Sequence, residues 1–418
     1  MAISSAASTR AALAAAYKEL FPDKRLEQTA LMDRDIMKWL PKADDLEGDG
    51  IHIPIRYGMP QGGGANFGQG QANVTSGKVK RTFIERNKYY GFVSIDDEAV
   101  RSSRSKKGAF YGVKEVEIED MIQNIAQRLE THLWRDGSGA LGTVSSVSGG
   151  VVTLTNPEDV ANFQIGAPIA ALEGATTVAR NDTVTAVTGV DSAAGTITFA
   201  DDKDDGDAWA ANDRLVLCQL GYTLSATDLA VTTGISDYEN VVSGLSAWIP
   251  ATAETSGTFL GMDRTDDVDR LQGFRQGYIG SIEETIKKLR SRMGRYSARP
   301  DSIWLSHDNW HRLELELGSR AVRDDGSAAT FGLPTIKYSS PKGVMKVYAG
   351  AFCEEDVGYL LRRDSWKIHH LDGLPHLIMS DGLRSTRGQD YDGIEVRARY
   401  WAELACDSPF HNGRFVIG

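Results

Sequence analysis

The most restrictive feature of the sequence is a glycine-rich segment between two strand-like stretches. Before it, Ile51, Ile53 and Ile55 alternate with other residue types, which is typical of a half-buried strand. The segment, MPQGGGANFGQGQANVTSGK, has six glycines between Gly62 and Gly77 and too few large apolar residues to order itself by burial. The stretch that follows, VKRTFIERNKYYGFVSI, is rich in strand-forming residues again. This pattern predicts a long β-hairpin with a mobile glycine tip.

A hairpin of this kind needs a surface to lie on. Two arms of about 20 residues, at roughly 3.3 Å per residue, would reach on the order of 60 Å. A two-stranded ribbon that long is not stable by itself in water. We therefore expect the hairpin to lie on a neighbouring subunit. The glycines do not indicate a nucleotide site, because the order GGGANFGQGQAN contains neither GxGxxG nor a P-loop pattern.

Basic residues are concentrated in and after the second arm. Nine basic and four acidic residues lie between Lys78 and Lys107, a balance of +5 in a chain of net charge −11. This stretch is either an ordinary solvated face or a patch that meets acidic neighbours during assembly. The residues predicted to form the assembly interface are Gly62, Gly63, Gly64, Phe67, Lys78, Lys80, Arg81, Arg86 and Lys88.

Residues 113–136 contain the strongest helical pattern. Their apolar residues recur at spacings of three and four, acidic residues fill the first half, and Gly137 follows the last turn. At 1.5 Å per residue the helix would be roughly 36 Å long, which suits a spine on which other elements pack. The predicted buried face is Ile118, Met121, Ile122, Ile125, Leu129 and Leu133.

Residues 140–219 have a different character. Short alternating strands are separated by glycine, asparagine, aspartate and proline, which predicts a small all-β module. Eleven acidic and three basic residues give it −8 of the chain's net charge of −11. The run DDKDDGDAW fails an EF-hand alignment at Lys203 and Asn212, so it is interpreted as a solvated acidic turn.

The remaining segments predict short helices and an α/β unit. At the start of the chain, 11–20 and 26–40 favour short helices. Between 222 and 380, a helix is expected over 278–293, followed by a strand at Ile303–Leu305 and a helix capped by Ser306. Strands at Ile394–Leu404 and Phe415–Ile417 should close the fold.

Composition and motifs favour a structural protein over an enzyme. Of 418 residues, 41% are hydrophobic and 25% are charged, which is ordinary for a globular chain, and nothing in the sequence resembles the basic stripe of a dedicated nucleic-acid binder. The three cysteines lie far apart and fit a reducing compartment, and there is neither a secretory signal nor a membrane-length apolar run.

The sequence also lacks a recognisable catalytic or metal site. His369, His370 and His376 have only Asp372 beside them. Ser306, His307 and Asp308 are adjacent in sequence, which is not how a catalytic triad is assembled. We therefore predict no enzymatic activity, no cofactor and no metal.

The order of these segments resembles that of tailed-bacteriophage major capsid proteins. The stretches RNKYYGFVSIDDEAVRSS, HLWRDGSGALGTV, RPDSIWLSHDNWHRL and YDGIEVRARYWAELAC are similar to the second hairpin arm, the turn after the spine helix, the axial strand and helix, and the closing strand of that family. The resemblance covers nearly the whole chain except 140–219, which looks like an insertion domain. It implies an α+β fold of the Hong Kong 97-like capsid type.

The resemblance divides the chain into six parts. They are an N-terminal arm (1–50), an E-loop hairpin (51–98), a peripheral domain with the spine helix (99–139), an inserted all-β domain (140–219), an axial α/β domain with peripheral segments (220–385) and closing strands (386–418).

It also implies a function and a set of partners. The subunits would form hexamers and pentamers in an icosahedral virion shell around double-stranded DNA, after assembly in the host cytoplasm and without a membrane. A separate scaffolding protein is expected, because the chain has no room for a scaffolding segment before the hairpin, and a portal and a decoration protein are further expected partners. Lys78, Lys80 and Lys88 lie where some relatives cross-link a lysine.

Three other interpretations stay open at this point. An encapsulin-like nanocompartment shell would share the fold but would be shorter and without the inserted module. A phage tail or decoration protein would explain the β-module but not the spine helix. An α/β enzyme would need a site that the motifs do not reveal.

Overall fold

The computed structural model describes residues 34–96, 113–174, 178–204, 209–224, 235–318, 322–323, 336–340, 343–378, 386–387 and 393–418. The predicted helix at 11–20 and the basic residues Arg101, Arg104, Lys106 and Lys107 lie outside these ranges. The α-helices within them are α1 (Asp35–Trp39), α2 (Phe67–Ala72), α3 (Val113–Trp134), α4 (Leu245–Trp248), α5 (Val268–Leu271), α6 (Ile282–Arg295) and α7 (His307–Leu317).

The strands form one hairpin, two open sheets and a barrel. They are β1 (Lys42–Asp44), β2 (Ile51–Gly58), β3 (Lys78–Ile84), β4 (Asn87–Asp96), β5 (Ala140–Ser148), β6 (Val151–Leu154), β7 (Pro168–Leu172), β8 (Thr185–Asp191), β9 (Thr196–Phe199), β10 (Arg214–Leu217), β11 (Phe274–Gln276), β12 (Ser302–Leu305), β13 (Val322–Arg323), β14 (Ile336–Ser340), β15 (Gly343–Ala349), β16 (Val357–Leu361), β17 (Trp366–Leu377), β18 (Thr386–Arg387), β19 (Gly393–Cys406) and β20 (Gly413–Val416).

The long helix α3 is the centre of the largest core, as the periodicity predicts. All six residues of the predicted apolar face are at most 6% exposed. The helix packs against a sheet in which β19 pairs with β4 on one side and with β17 on the other. Gly91 in β4 lies so close that a Cβ there would meet Ile125 Cδ1 at 2.6 Å. Helix and sheet therefore form one tightly packed layer pair.

A second core lies under a seven-stranded mixed sheet of order β11-β20-β16-β12-β15-β14-β13. Helices α6 and α7 cover it, and Ile286, Leu289 and Leu313 are fully buried there. Ser306 caps α7 as predicted, because its hydroxyl accepts a hydrogen bond from the Asn309 amide. Helix α6 begins at Ile282 instead of the predicted 278, since Gly280 has φ +110° and Ser281 is the N-cap.

A closed six-stranded barrel, β10-β5-β6-β9-β8-β7, occupies the region predicted to be all-β. It has its own core, which includes Val152, Ile197 and Leu215. The chain stays on the barrel beyond 219, because Cys218 bridges to Ser236 and Tyr238 packs against the barrel. The segment associated with the barrel is therefore longer at its carboxyl end than the sequence suggests.

Polar contacts fix the barrel on the spine helix. Arg128 donates to the Asn162 carbonyl oxygen at 2.7 Å, and Asn162 in turn donates to the Leu141 carbonyl oxygen. The Arg135 side chain forms ion pairs with Asp159 of the barrel and with Glu354 of the axial region. Barrel, spine helix and seven-stranded sheet thus meet at Arg135. Within the described ranges, no helix has the length and apolar character needed to cross a bilayer.

The hairpin differs from its predicted form. Strands β2 and β3 pair from Ile51↔Ile84 to Gly58↔Lys78, but the chain then leaves the hairpin and β4 pairs with β19. The paired arms have eight and seven residues, about 25 Å at 3.3 Å per residue. The predicted 60 Å reach is wrong, because half of the second arm is strand β4, which belongs to the sheet with β19 and β17.

Candidate assembly interface

The tip of the hairpin is a small folded unit, although the sequence predicts a loop without internal order. Helix α2 is capped by Asn66, whose side chain accepts from the Gln69 amide at 2.8 Å. The ends of the tip are joined where the Gln61 amide donates to the Thr75 hydroxyl at 2.8 Å. A Cβ at Gly64 would meet the Gly70 nitrogen at 2.5 Å, so the compact turn requires glycine there.

The same tip exposes large apolar side chains. Phe67 is 86% exposed, Met59 75% and Val74 70%, and Val79 at the start of β3 is 57% exposed. Helix α2 buries none of its residues. The described chain therefore builds an internally hydrogen-bonded projection whose large apolar side chains are left exposed, which is typical of a protein–protein contact. We call residues 59–79 the hairpin tip.

The predicted interface residues do not form one continuous patch. Gly62, Gly63, Gly64 and Phe67 lie in the hairpin tip. The basic residues separate into two groups, which differ in whether their charged ends are held by the subunit itself. Exposed ones are Lys78, Arg81 and Lys88, and partly buried ones are Lys80 and Arg86.

Lys80 and Arg86 are engaged within the chain. Lys80 Nζ lies 2.9 Å from Asp266 and 3.2 Å from Asp263, and Arg86 donates to the Leu46 carbonyl oxygen at 3.2 Å. These two cations therefore already have partners within the subunit, and the prediction that the basic stretch meets a neighbour stays a prediction. Lys88 stays exposed on β4, opposite Trp401 of β19.

Ion pairs and hydrogen bonds hold the base of the hairpin. The Tyr57 hydroxyl donates to Asp266 at 2.9 Å, and this bond raises the pKa of Tyr57. Hydrogen bonds from Thr265, with a further one from Lys80, lower the pKa of Asp263 to about 2. The bond to Asp266 raises the pKa of Lys80. The shifts of Asp263 and Lys80 favour their charged forms, and the shift of Tyr57 keeps its hydroxyl protonated as a donor, so these contacts at the base of the hairpin are all present at neutral pH.

A second exposed apolar surface lies beside the spine helix. A cleft of about 1140 Å³ separates β4 from the barrel. Its walls carry Phe92, 60% exposed, Ile165, 71% exposed, and Leu220, 52% exposed. At the cleft, burial raises the pKa of Asp237 to about 6, and the nearby Arg128 only partly offsets it. This cleft, whose walls combine exposed apolar side chains with polar and charged ones, is a further candidate contact surface.

Two acidic groups in the structure bear on metal binding. The acidic run near 203 is organised by a buried lysine. Lys203 Nζ lies 2.7 Å from both Asp182 and Asp201, and 5.3 and 5.1 Å from the ring centroids of Phe199 and Trp209. The predicted solvated acidic turn is therefore wrong at Lys203 itself. Elsewhere, carboxylate oxygens of Glu158, Asp308 and Glu355 lie within 4.8 Å of one another. An acidic cluster alone does not establish a metal site.

Two of the three clustered histidines have acidic partners. His369 Nδ1 lies 2.6 Å from Asp45, and His370 Nδ1 lies 3.7 Å from Asp44, across the parallel pairing of β1 and β17. Asp372, the acidic residue next to them in sequence, instead pairs with Arg399 at 3.2 Å.

One basic surface was missed in the sequence analysis. Lys288, Arg292 and Arg295 follow one exposed side of α6 and line a cleft of about 460 Å³. The signal was present, because residues 285–299 contain six basic residues and no acidic one.

Comparisons with known proteins address the fold. No protein-family model matches the chain, and no curated protein matches it by sequence. The structure is similar to a chain of the cyanophage A-1(L) capsid asymmetric unit, with 12% identity, a TM-score of 0.52, and 96% of each chain covered. A chain from Gordonia phage Cozz matches with 9% identity and a TM-score of 0.43 over 97% of this chain and 89% of that one. A chain from Mycobacterium phage Ogopogo has 10% identity and a TM-score of 0.42, over 97% and 95%.

The cyanophage comparison extends over nearly the whole of both chains, so it applies to the complete arrangement and not to one shared motif. The order of hairpin, spine helix and mixed sheet expected from the sequence is present in the structure. The predicted α+β fold of the Hong Kong 97-like type is confirmed, and the chain has the fold of a phage capsid subunit.

Proposed function

We propose that the chain is the structural major capsid protein of a tailed bacteriophage, which self-assembles into the icosahedral head shell around double-stranded DNA. The single observation that supports this most is the hairpin tip. It is internally hydrogen-bonded, ionically anchored at its base, and exposes Phe67, Met59 and Val74 to solvent. A subunit that acts alone gains nothing from such a projection, whereas a shell subunit uses it to hold the next copy.

The hydrophobic effect gives the tip enough energy for assembly. Burying one large apolar side chain stabilises a contact by about 1.5–3 kcal/mol. Three such side chains therefore offer several kcal/mol per contact before the entropic cost of association is subtracted. Each subunit of a closed shell would donate one tip and receive one, so a moderate contact is repeated around every ring of six or five copies.

Exposed charge would add specificity to this contact. Lys78, Arg81 and Lys88 are exposed and positive, while the barrel region 140–219 carries a balance of −8. Exposed pairs contribute about 0–1 kcal/mol each and are screened by salt, so several must act together. Reversal of Arg81 and Lys88 to Glu should therefore weaken assembly most strongly at low salt while the subunit stays folded.

The barrel is proposed to be an inserted domain that projects from the outer surface. It has its own core, and the chain returns from it close to where it entered, because the Glu239 amide donates to the carbonyl oxygen of Ser138, four residues after the spine helix. Inserted domains are tolerated where the host chain is exposed. Its negative charge would be repelled by packaged DNA, which carries one phosphate charge per about 1.7 Å of axis. A capsid reconstruction with the barrel on the inner wall would contradict this placement.

The proposal includes partners and location. The copies would form hexamers and pentamers, with a separate scaffolding protein and a portal, and with a decoration protein on the outer surface. Assembly would take place in the host cytoplasm and the product would be the virion. The role is structural and not catalytic.

Co-expression with the scaffolding protein, followed by gradient sedimentation and negative-stain electron microscopy, tests the proposal. Closed particles of uniform diameter are expected, together with nuclease-protected DNA in particles from infected cells. Shells that contain protein cargo and no DNA would instead indicate a nanocompartment. Tubes, or binding only to preformed heads, would indicate a tail or decoration protein. Either outcome would refute the capsid proposal.

A further inference from the structure

Helix α6 divides its residues between a buried apolar face and a basic outer face. Ile282, Ile286, Leu289 and Met293 are fully buried. Of the six basic residues of 285–299, Arg290 is buried and donates to the Ala298 carbonyl oxygen, and this range contains no acidic residue. The exposed basic residues of the helix are Lys287, Lys288, Arg292 and Arg295. In a chain of net charge −11, this is a local excess of six positive charges.

Three of these side chains share one side of the helix. Lys288, Arg292 and Arg295 are spaced by four and three residues, so they form a stripe that spans about 10 Å. They line the cleft of about 460 Å³ together with Gln276, Ser291 and Tyr296. We call this surface the α6 cleft. Every lining side chain carries a hydrogen-bond donor, and none carries a negative charge.

The three cations differ in how they are held. Arg292 is fixed by both carboxylate oxygens of Asp269, at 2.9 and 3.0 Å, and donates to the Arg275 carbonyl oxygen. Lys288 and Arg295 are exposed and make no ion pair with any residue that the structure describes. The helix dipole explains cations in the last turn, but it does not explain Lys288, which lies two turns earlier.

We infer that the α6 cleft binds the phosphate backbone of double-stranded DNA. This inference rests on the proposed function, which places DNA inside the shell. Neighbouring stripe residues lie about 5–6 Å apart on the helix surface. One DNA strand carries a phosphate charge per about 3.4 Å of axis, so these long side chains can reach neighbouring phosphates of the backbone. An arginine fork, a lysine and hydroxyl donors are the groups that hold phosphate oxygens, and such contacts carry no sequence information.

Binding of purified full-length protein to a fluorescent duplex of 20 base pairs, measured by anisotropy at several salt concentrations, tests the inference. The test variant is Lys288→Glu with Arg295→Glu. The matched control, Lys287→Glu with Lys367→Glu, makes the same charge change on exposed residues that do not line the cleft. The test variant should lose at least about tenfold in affinity at low salt, and its salt slope should fall by about two. The control should lose much less.

Two results would overturn the inference. One is equal affinity loss in the test and control variants, which would mean that only net charge matters. The other is a test variant that binds DNA normally but fails to assemble, which would make the cleft a contact between subunits. The capsid proposal is judged separately, by microscopy of the wild-type protein: wild-type shells without DNA binding refute the cleft alone, and wild-type DNA binding without shells refutes the capsid role alone.

Discussion

Replacement of Phe67 by serine tests the role of the hairpin tip most sharply. The side chain is 86% exposed and lies on a helix that buries nothing, so its removal should leave the subunit as stable as before, within about 0.5 kcal/mol. In the shell it would lose the burial of one aromatic ring, about 2 kcal/mol per contact. Since 1.4 kcal/mol is a factor of ten, each contact should weaken about 30-fold.

The assay is the protein concentration at which shells first appear in light scattering. The Phe67→Ser variant should need roughly 30-fold more protein than wild type if each subunit donates one tip. Leu315→Ser is the matched control, because Leu315 is 69% exposed on α7, away from the tip. Assembly of Phe67→Ser at the wild-type threshold, with an unchanged melting temperature, would refute the reasoning.

Three further predictions concern the subunit itself. Burial raises the pKa of Glu130 to about 8 despite Arg34 at 3.7 Å, so the folded state holds a proton that the unfolded state releases near pH 4.5. The free energy of unfolding should therefore fall as pH rises from about 5 to 8. In urea titrations, Glu130→Gln should flatten this pH dependence. A Cβ at Gly244 would overlap carbonyl oxygens at the end of the spine helix. Gly244→Ala should therefore lower the free energy of unfolding by about 3 kcal/mol and the melting temperature by several degrees. A melting-temperature shift below one degree would contradict this packing. Lys203→Met should destabilise the barrel by about 2 kcal/mol in thermal unfolding, because two partly exposed aspartates lose their shared cation. An unchanged transition would show that the ion pairs of Lys203 contribute nothing to stability.

Local periodicity carried enough information for the helices and most of the strands. The spine helix was predictable because its apolar residues recur at helical spacing and Gly137 follows it with φ +82°. The cap at Ser306 was predictable because a serine before an amphipathic helix satisfies amide donors that would otherwise lack partners. These features depend on residues within one or two turns of each other.

Pairing partners and side-chain destinations were not predictable in the same way. Alternation runs through residues 79–95, so the sequence cannot show that the chain leaves the hairpin after Ile84 and joins β19, more than 300 residues later. Lys80 and Lys88 look equivalent in sequence, but only Lys80 meets two aspartates, from residues 263 and 266. The net charge of each segment follows from the sequence, whereas the position of each charged side chain on the surface depends on tertiary structure.

Cryo-electron microscopy of assembled particles tests the central claim most directly. The account predicts closed icosahedral shells in which this chain forms rings of six and of five copies. In these rings the tip of each copy, with Phe67 buried, should lie against the next subunit. A particle in which Phe67 remains solvent-exposed, or a protein that stays a monomer in the presence of its scaffolding protein, would contradict the account.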